Sequence, residues 1–404
     1  MLKGTREPRR VWGVSVRSGH QIVVTARAGF DSRWQGRDGG RSRSRGVTLI
    51  ELMLGLVVAS ILSTIIYAVI VSQSRAYNIQ DRMTQMQQSL RLAMEFITRD
   101  IAMAGYGTPG YVITDSDLGD SGRLPAIRGF DGGVGMSDYL QTVYADPTYM
   151  AMTRWGVNQP CGGNTIQFQN LEDIYNFIES EYMLCFDYSS QTKMKSFLVR
   201  LAGYDAATGQ LAPGSYDPDN GTVKVEMPDN VADFSGAGGE CPTGENLPRD
   251  LQCGPARIHT YYIDMSSSDG IGPGTPAHPV LMMSTNIQAA NGTNRVSQTA
   301  GIHDHDIALA DNIELIQLLV CRATSANCKS TDFEVWQSAF NAASAVTDIR
   351  QVKVTLWARS DRPAAEGASG GDPHPLFGFL DGYYRRPETT TVLVRNLRLL
   401  SAYH

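Results

Sequence analysis

The chain begins with polar and basic residues and then enters its longest apolar stretch, Val47 to Val71, which reads VTLIELMLGLVVASILSTIIYAVIV. These 25 residues contain no Lys, Arg, Asp or His and a single acid, Glu51. A helix of that length reaches roughly 37 Å, enough to cross a hydrocarbon core of about 30 Å. From Ser72 to Ala104 there is neither Pro nor Gly. Apolar residues recur there every three or four positions, at Ile79, Met83, Met86, Leu90, Met94, Ile97, Ile101 and Ala104. That spacing predicts one apolar stripe along a helix, with Asp81, Arg82, Gln85, Gln88, Arg91, Glu95 and Arg99 on its other faces. Gly105-Tyr106-Gly107 stops the helix and Pro109 prevents its resumption. The pattern therefore predicts one helix over 47–104, about 87 Å long at the α-helical rise. Its segment 47–71 is transmembrane, and its second half is held by one face to a globular head.

After Gly105 the texture changes to short apolar runs separated by Gly, Pro, Asp and Asn. Strands are predicted at Thr165–Gln169, Tyr182–Tyr188, Ser196–Leu201, Thr222–Met227, Ile258–Asp264, Val280–Ser284, Ile313–Val320, Ile349–Ala358 and Thr389–Leu397, from their β-branched and aromatic enrichment. Short helices are predicted around Asn170–Ile178 and Thr331–Ala345, and loops at Gly236–Pro255 and Pro363–Pro375. The expected fold class is α+β. A long N-terminal α-helix, membrane-spanning first and amphipathic second, packs on a β-rich antiparallel head over 105–404. Residues 108–256 are expected to be an insertion or extra lobe of that head.

Charge is distributed unevenly. Residues 1–45 carry ten Arg and Lys3 against Glu7, Asp31 and Asp38, a net of +8, so the overall −6 leaves −14 on the remainder. A body that acidic is a poor match for nucleic-acid phosphates, and no nucleic-acid partner is predicted. Arg41, Arg43 and Arg45 stand directly before the apolar run, and Arg75 is the first base after it. The positive-inside rule then keeps the N-terminus in the cytoplasm and sends the head across an inner membrane. A secretory signal peptide fits less well, because its apolar core is shorter and ends at a small-residue cleavage site that is missing here. Arg9-Arg10 hints at a twin-arginine signal, but Arg17 and His20 interrupt the weak apolar stretch behind it.

Glu51 is the informative residue. A carboxylate within an apolar span costs about 2.5–3.5 kcal/mol on insertion scales, so it needs a partner or a function. The string Arg45-Gly46-Val47-Thr48-Leu49-Ile50-Glu51-Leu52-Met53 resembles the leader and N-terminal signature of type IV pilins and type II secretion pseudopilins. The resemblance implies that a prepilin peptidase removes residues 1–46, cutting after Gly46, and N-methylates Val47. Glu51 becomes the fifth mature residue, and the new amino terminus supplies the cation that it lacks, in its own chain or in a neighbour during assembly. Val47 departs from the Phe usual at that place, and the leader is longer than usual.

The segment Gln80–Gly107, Tyr261–Asp264, Leu309–Glu314, Val352–Ser360 and Tyr384–Asn396 resemble PilW-type minor pilins; 108–256 resembles nothing recognised. That resemblance implies a subunit that helps to initiate a pilus and sits at or near its tip. Its implied partners are the prepilin peptidase, the major pilin and other minor pilins, the inner-membrane assembly platform and, before assembly, membrane lipid. A periplasmic or surface filament is its implied destination. A type II secretion minor pseudopilin, a tip adhesin and a membrane-anchored enzyme are the alternatives.

All six cysteines, Cys161, Cys185, Cys241, Cys253, Cys321 and Cys328, follow the apolar run, in the compartment predicted to be oxidising, and are disulfide candidates. Pairing sequence neighbours, Cys161–Cys185, Cys241–Cys253 and Cys321–Cys328, is the least entangled arrangement. The string Gly105 to Gly110 matches a dinucleotide-binding pattern literally, but it follows a helix rather than a strand. His303-Asp304-His305-Asp306 offers metal-ligand types but reads better as an exposed polar turn. Asp217-Pro218-Asp219-Asn220-Gly221 reads as a turn into Thr222 rather than half a calcium loop. No metal, no cofactor and no catalytic residue is predicted, and the chain is not expected to be an enzyme.

Overall fold

The computed structural model describes residues 47–108, 110–114, 123–132, 137–154, 164–187, 195–205, 207–227, 251–264, 279–285, 306–322, 328–341, 346–361 and 383–397. The chain divides into two units, the first ending at Val69 and the second beginning at Ile70. Helix α1, Leu49–Met103, belongs to both.

Within the second unit, α1 buries Met86, Leu90, Ala93, Met94, Ile97 and Ile101, the predicted stripe. Each large apolar side chain on it contributes about 1.5–3 kcal/mol when fully buried. Ile79 and Met83 were expected on the same buried face but remain 41% and 37% exposed, because burial of the helix begins only at Met86. The helix stops where Gly105 takes a left-handed φ of 83°, and its N–H reaches the Val143 carbonyl at 3.1 Å. Asn396, far along the chain, donates from Nδ2 to the carbonyls of Ala102, Met103 and Ala104 at 3.3, 3.0 and 3.4 Å. These are the carbonyls that a helix end leaves without partners.

The strands of the second unit are β1 (Tyr111–Ile113), β2 (Arg123–Pro125), β3 (Ile127–Phe130), β4 (Tyr139–Ala145), β5 (Ala151–Met152), β6 (Thr165–Gln167), β7 (Tyr182–Asp187), β8 (Lys195–Leu201), β9 (Tyr204–Asp205), β10 (Gln210–Leu211), β11 (Tyr216–Asp217), β12 (Thr222–Glu226), β13 (Leu251–Asp264), β14 (Val280–Ser284), β15 (Asp306–Asp311), β16 (Ile313–Arg322), β17 (Glu334–Val335), β18 (Ile349–Arg359) and β19 (Arg385–Leu393). The largest sheet runs β11-β12-β8-β7-β13-β14-β15 with β1 to β6 attached beside that path, and a second sheet runs β17-β16-β18-β19. Described pairings are antiparallel except a short parallel contact of β1 with β8.

Each predicted strand has its counterpart, in β6, β7, β8, β12, β13, β14, β16, β18 and β19. The last is corrected in its bounds: β19 starts earlier, at Arg385, and ends at Leu393, and residues 395–397 turn into a helix instead of continuing the strand. The expected loop Gly236–Pro255 is corrected at its end, because β13 already starts at Leu251. Gly254-Pro255 reads as a strand breaker. It instead marks the place where β13 leaves β7 and takes up β4 as partner, at Ala256. The helix expected over Thr331–Ala345 is also corrected: the described part holds short 3-10 turns at Ser330–Asp332 and Ser338–Asn341 with β17 between them. The other loop, Pro363–Pro375, lies outside the described residues.

Two main cores form. One packs the α1 stripe against Leu318, Val352, Val354 and Leu397. The other is built from residues between Ile113 and Cys253, including Ile166, Phe168, Phe177, Phe197, Val199 and Val223. Strand β7 is buried on both faces: Met183 and Cys185 enter the second core, while Tyr182, Leu184 and Phe186 enter a smaller cluster with Val112, Val143 and Ile258.

Cys185 and Cys253 stand directly opposite each other on β7 and β13 and are joined, with Cα atoms 4.1 Å apart. The expected pairs Cys161–Cys185 and Cys241–Cys253 are therefore corrected. Strand pairing brings Cys185 and Cys253 together across 68 residues of sequence, so sequence proximity is the wrong guide. Cys161 and Cys241 lie outside the described residues; Cys321 and Cys328 are joined. Replacing both Cys185 and Cys253 by Ser is expected to lower stability by about 2–4 kcal/mol, since the bridge closes a long loop. Denaturant titration of the full chain in detergent measures this, and an unchanged midpoint would contradict it.

Candidate functional site

The described chain begins at Val47, and Gly46, the expected cleavage residue, lies outside the described residues. Thr48 precedes the first helical residue, Leu49. Its Oγ1 accepts from the Glu51 N–H at 3.3 Å, and its carbonyl accepts from the N–H groups of Glu51 and Leu52 at 3.0 and 3.2 Å. This is the N-cap half of a Thr-x-x-Glu capping box. It places Glu51 in the first turn of α1, where a negative charge is favoured by the unpaired N–H groups and the helix dipole. The amino terminus expected to pair with Glu51 would lie at this same helix end, at Val47. The Thr48-x-x-Glu51 spacing was the signal for the cap.

From Val47 to Ile70 the large apolar side chains are 49–79% exposed, on every side of the helix. Helix α1 is long and apolar enough to cross a membrane. Two hydroxyls within this segment satisfy themselves inside the helix: Ser60 Oγ donates to the Val57 carbonyl at 2.8 Å, and Thr64 Oγ1 donates to the Ser60 carbonyl at 2.9 Å. Hydroxyls bonded in this way present little unmet polarity to hydrocarbon.

A buried polar joint fixes the other end of α1. Asp100 is 3% exposed. Its Oδ1 accepts from the Tyr144 hydroxyl at 2.9 Å, and its Oδ2 accepts from the Tyr261 hydroxyl and from His259 Nδ1. His259 and Tyr261 are two apart on β13 and so share a face; Tyr144 comes from β4. Burial alone would raise the Asp100 carboxyl. The hydrogen bond and charge of His259, then the two tyrosine hydroxyls, outweigh burial and hold it below the usual carboxylate range. The same carboxylate pushes both phenols up, adding to their burial. Asp100 was missed at the sequence level, although its place between Ile97 and Ala104 on the apolar stripe was a signal.

The other sequence candidates assemble no site among the described residues. His303 to His305 lie outside the described residues. Asp306 opens β15 instead of lying in a turn, and it accepts from the Tyr262 hydroxyl at 2.6 Å. Asp217 and Asn220 close the turn between β11 and β12. Asp217 Oδ1 accepts from the N–H groups of Asp219 and Asn220 at 3.0 and 3.3 Å, and Asn220 Nδ2 donates to Asp217 Oδ2 at 2.6 Å. Among the described residues, no group of three or more His, Cys, Asp or Glu could hold a metal ion.

Residues 41–67 match the family model described as the prokaryotic N-terminal methylation motif. No curated protein matches the chain. Among solved structures, the chain is similar to a type IV-like pilin from Thermus thermophilus, at 10% identity over 78% of this chain and 98% of that one, with a TM-score of 0.24.

Proposed function

We propose that the chain is a prepilin that matures into a PilW-like minor type IV pilin subunit. A prepilin peptidase removes residues 1–46 and methylates Val47. Residues 47–71 then hold the mature chain in the inner membrane, N-terminus in the cytoplasm and head in the periplasm, until it enters a filament with other pilins. The carrying observation is the methylation motif over 41–67, which runs into a helix apolar on every side with Glu51 in its first turn. Glu51 stabilises its own helix end and, once Val47 carries an amino cation, offers a carboxylate to an N-terminus of its own or a neighbouring chain. A head of this size fits a rare position at the tip or in the initiation complex better than a repeating shaft.

Mass spectrometry of the mature N-terminus, from sheared surface filaments and separately from membranes, tests this. A peptide beginning at N-methylated Val47 in filaments is the expected result. The same peptide confined to membranes would leave the processing in place but favour a type II secretion pseudopilin. An intact Arg45–Gly46–Val47 junction in both fractions would sink the proposal. Glycine exposes its backbone with no Cβ, so Gly46→Val is expected to abolish cleavage and leave the leader attached, read from the same peptides.

A further inference from the structure

A cavity of about 240 Å³ in the second unit is lined by Glu179, Glu181, Tyr182, Tyr204, Arg257 and His259, among others. Its acids outnumber the cations free to balance them. The Arg257 guanidinium is occupied by Asp146, at 3.1 and 3.2 Å from two of its nitrogens. Arg200 serves Glu181 at 3.4 Å and also Glu226 at 3.8 Å. Glu179 is exposed and has no ion pair among the described residues. The negative field reaches Tyr204, whose hydroxyl is pushed up by burial and then by Glu181 and Asp205. His259 is engaged as well, its Nδ1 committed to Asp100.

We propose that this cavity receives an arginine side chain presented on a helix of a neighbouring subunit. The identity of the partner as a subunit rests on the filament reading above; the cation preference does not. A guanidinium suits the lining in three ways. It donates several N–H groups to carboxylates, it lies flat against tyrosine rings, and it sheds its hydration more readily than an ammonium. A concave site walled by protein also strengthens the attraction between opposite charges relative to open water. The same chemistry is on offer from copy to copy, since Arg75, Arg91 and Arg99 stand exposed on α1 and form no ion pair among the described residues.

The test titrates the full-length chain in detergent with a synthetic peptide of residues 85–103, which carries Arg91 and Arg99, and follows the peptide by saturation-transfer NMR. Controls are the same peptide with citrulline at both arginine positions, and free N-acetylargininamide. The arginine peptide is expected to bind about tenfold more tightly than the citrulline peptide, and Glu179→Gln in the full chain is expected to remove most of that difference. Glu179 is exposed, so this variant keeps its melting temperature and the comparison stays valid. Equal binding of the two peptides, or an unchanged preference in Glu179→Gln, would overturn the cation site. Binding of N-acetylargininamide as tight as the peptide would reassign the cavity to small guanidinium compounds and overturn the subunit as occupant. Cleavage at Gly46 does not enter this titration, so either idea can fail alone.

Discussion

Replacing Asp100 by Ala is expected to cost about 3–5 kcal/mol, a large part of the stability of an ordinary domain. The substitution removes one small carboxylate but leaves three donors behind. Tyr261 is fully buried and Tyr144 is 4% exposed, so neither hydroxyl can turn to water for a replacement. His259 loses the group that holds its Nδ1. Unmet buried donors cost about 1–3 kcal/mol each. The loss falls where α1 meets β4 and β13, so the helix should loosen from the head before the second core unfolds. Asp100→Asn keeps the shape and one acceptor and should cost less than Asp100→Ala. Denaturant titration of the full chain in detergent measures both, and equal stability of the alanine variant and the parent would refute the joint as described.

The same residue makes a pH prediction with a definite sign. The folded Asp100 carboxyl lies below its ordinary 3.8. Its contribution is therefore complete above that value and is lost as pH falls through the lower folded one. Asp138 has the opposite sign. Burial, against two backbone hydrogen bonds, pushes it up to about 6, so its contribution is complete below 3.8 and is lost as pH rises through about 6. The parent chain should thus weaken more steeply in acid than Asp100→Asn does, while both share the change near pH 6.

What could be read in the sequence was whatever is encoded by neighbours in the chain. The α1 stripe repeats every three or four residues, and its buried face from Met86 to Ile101 followed from that repeat. The strands rich in Val, Ile and Tyr were visible for a similar reason. Strand β4 was not, because it buries Gln141 and Thr142 completely and so lacks an apolar pattern; Gln141 Nε2 is satisfied by the Thr260 hydroxyl at 3.1 Å, on a strand more than a hundred residues away. The Cys185–Cys253 bridge and the Asp100 joint share that difficulty, since partners set by strand pairing leave no local trace. The N-terminal segment is the opposite case. Gly46, Thr48 and Glu51 lie within a few positions of one another, and the methylation motif that spans them was legible from the string alone.

A second large effect is expected from Arg385→Leu, about 3–5 kcal/mol, with Glu314 as the reason. The Arg385 guanidinium grips Glu314 with two bonds, Nε to Oε2 at 2.7 Å and Nη2 to Oε1 at 3.1 Å, and the two side chains are 0% and 3% exposed. Strands β16 and β19 do not touch in the sheet, since β18 lies between them. The pair reaches across because the register of β16 against β18 shifts between Ile313 and Leu315, and this bulge re-aims the intervening Glu314. Removing the arginine takes two charge-assisted bonds from a carboxylate held away from water, which is far costlier than never having placed it there. The double variant Glu314→Leu/Arg385→Leu should therefore recover most of the loss, although each single change is severe. Such a coupling is what distinguishes a desolvated ion pair from two independently useful residues. If the two single losses simply add in the double variant, the pair is not the unit holding β19 to the second sheet, and packing of the hydrocarbon stems must carry that edge instead.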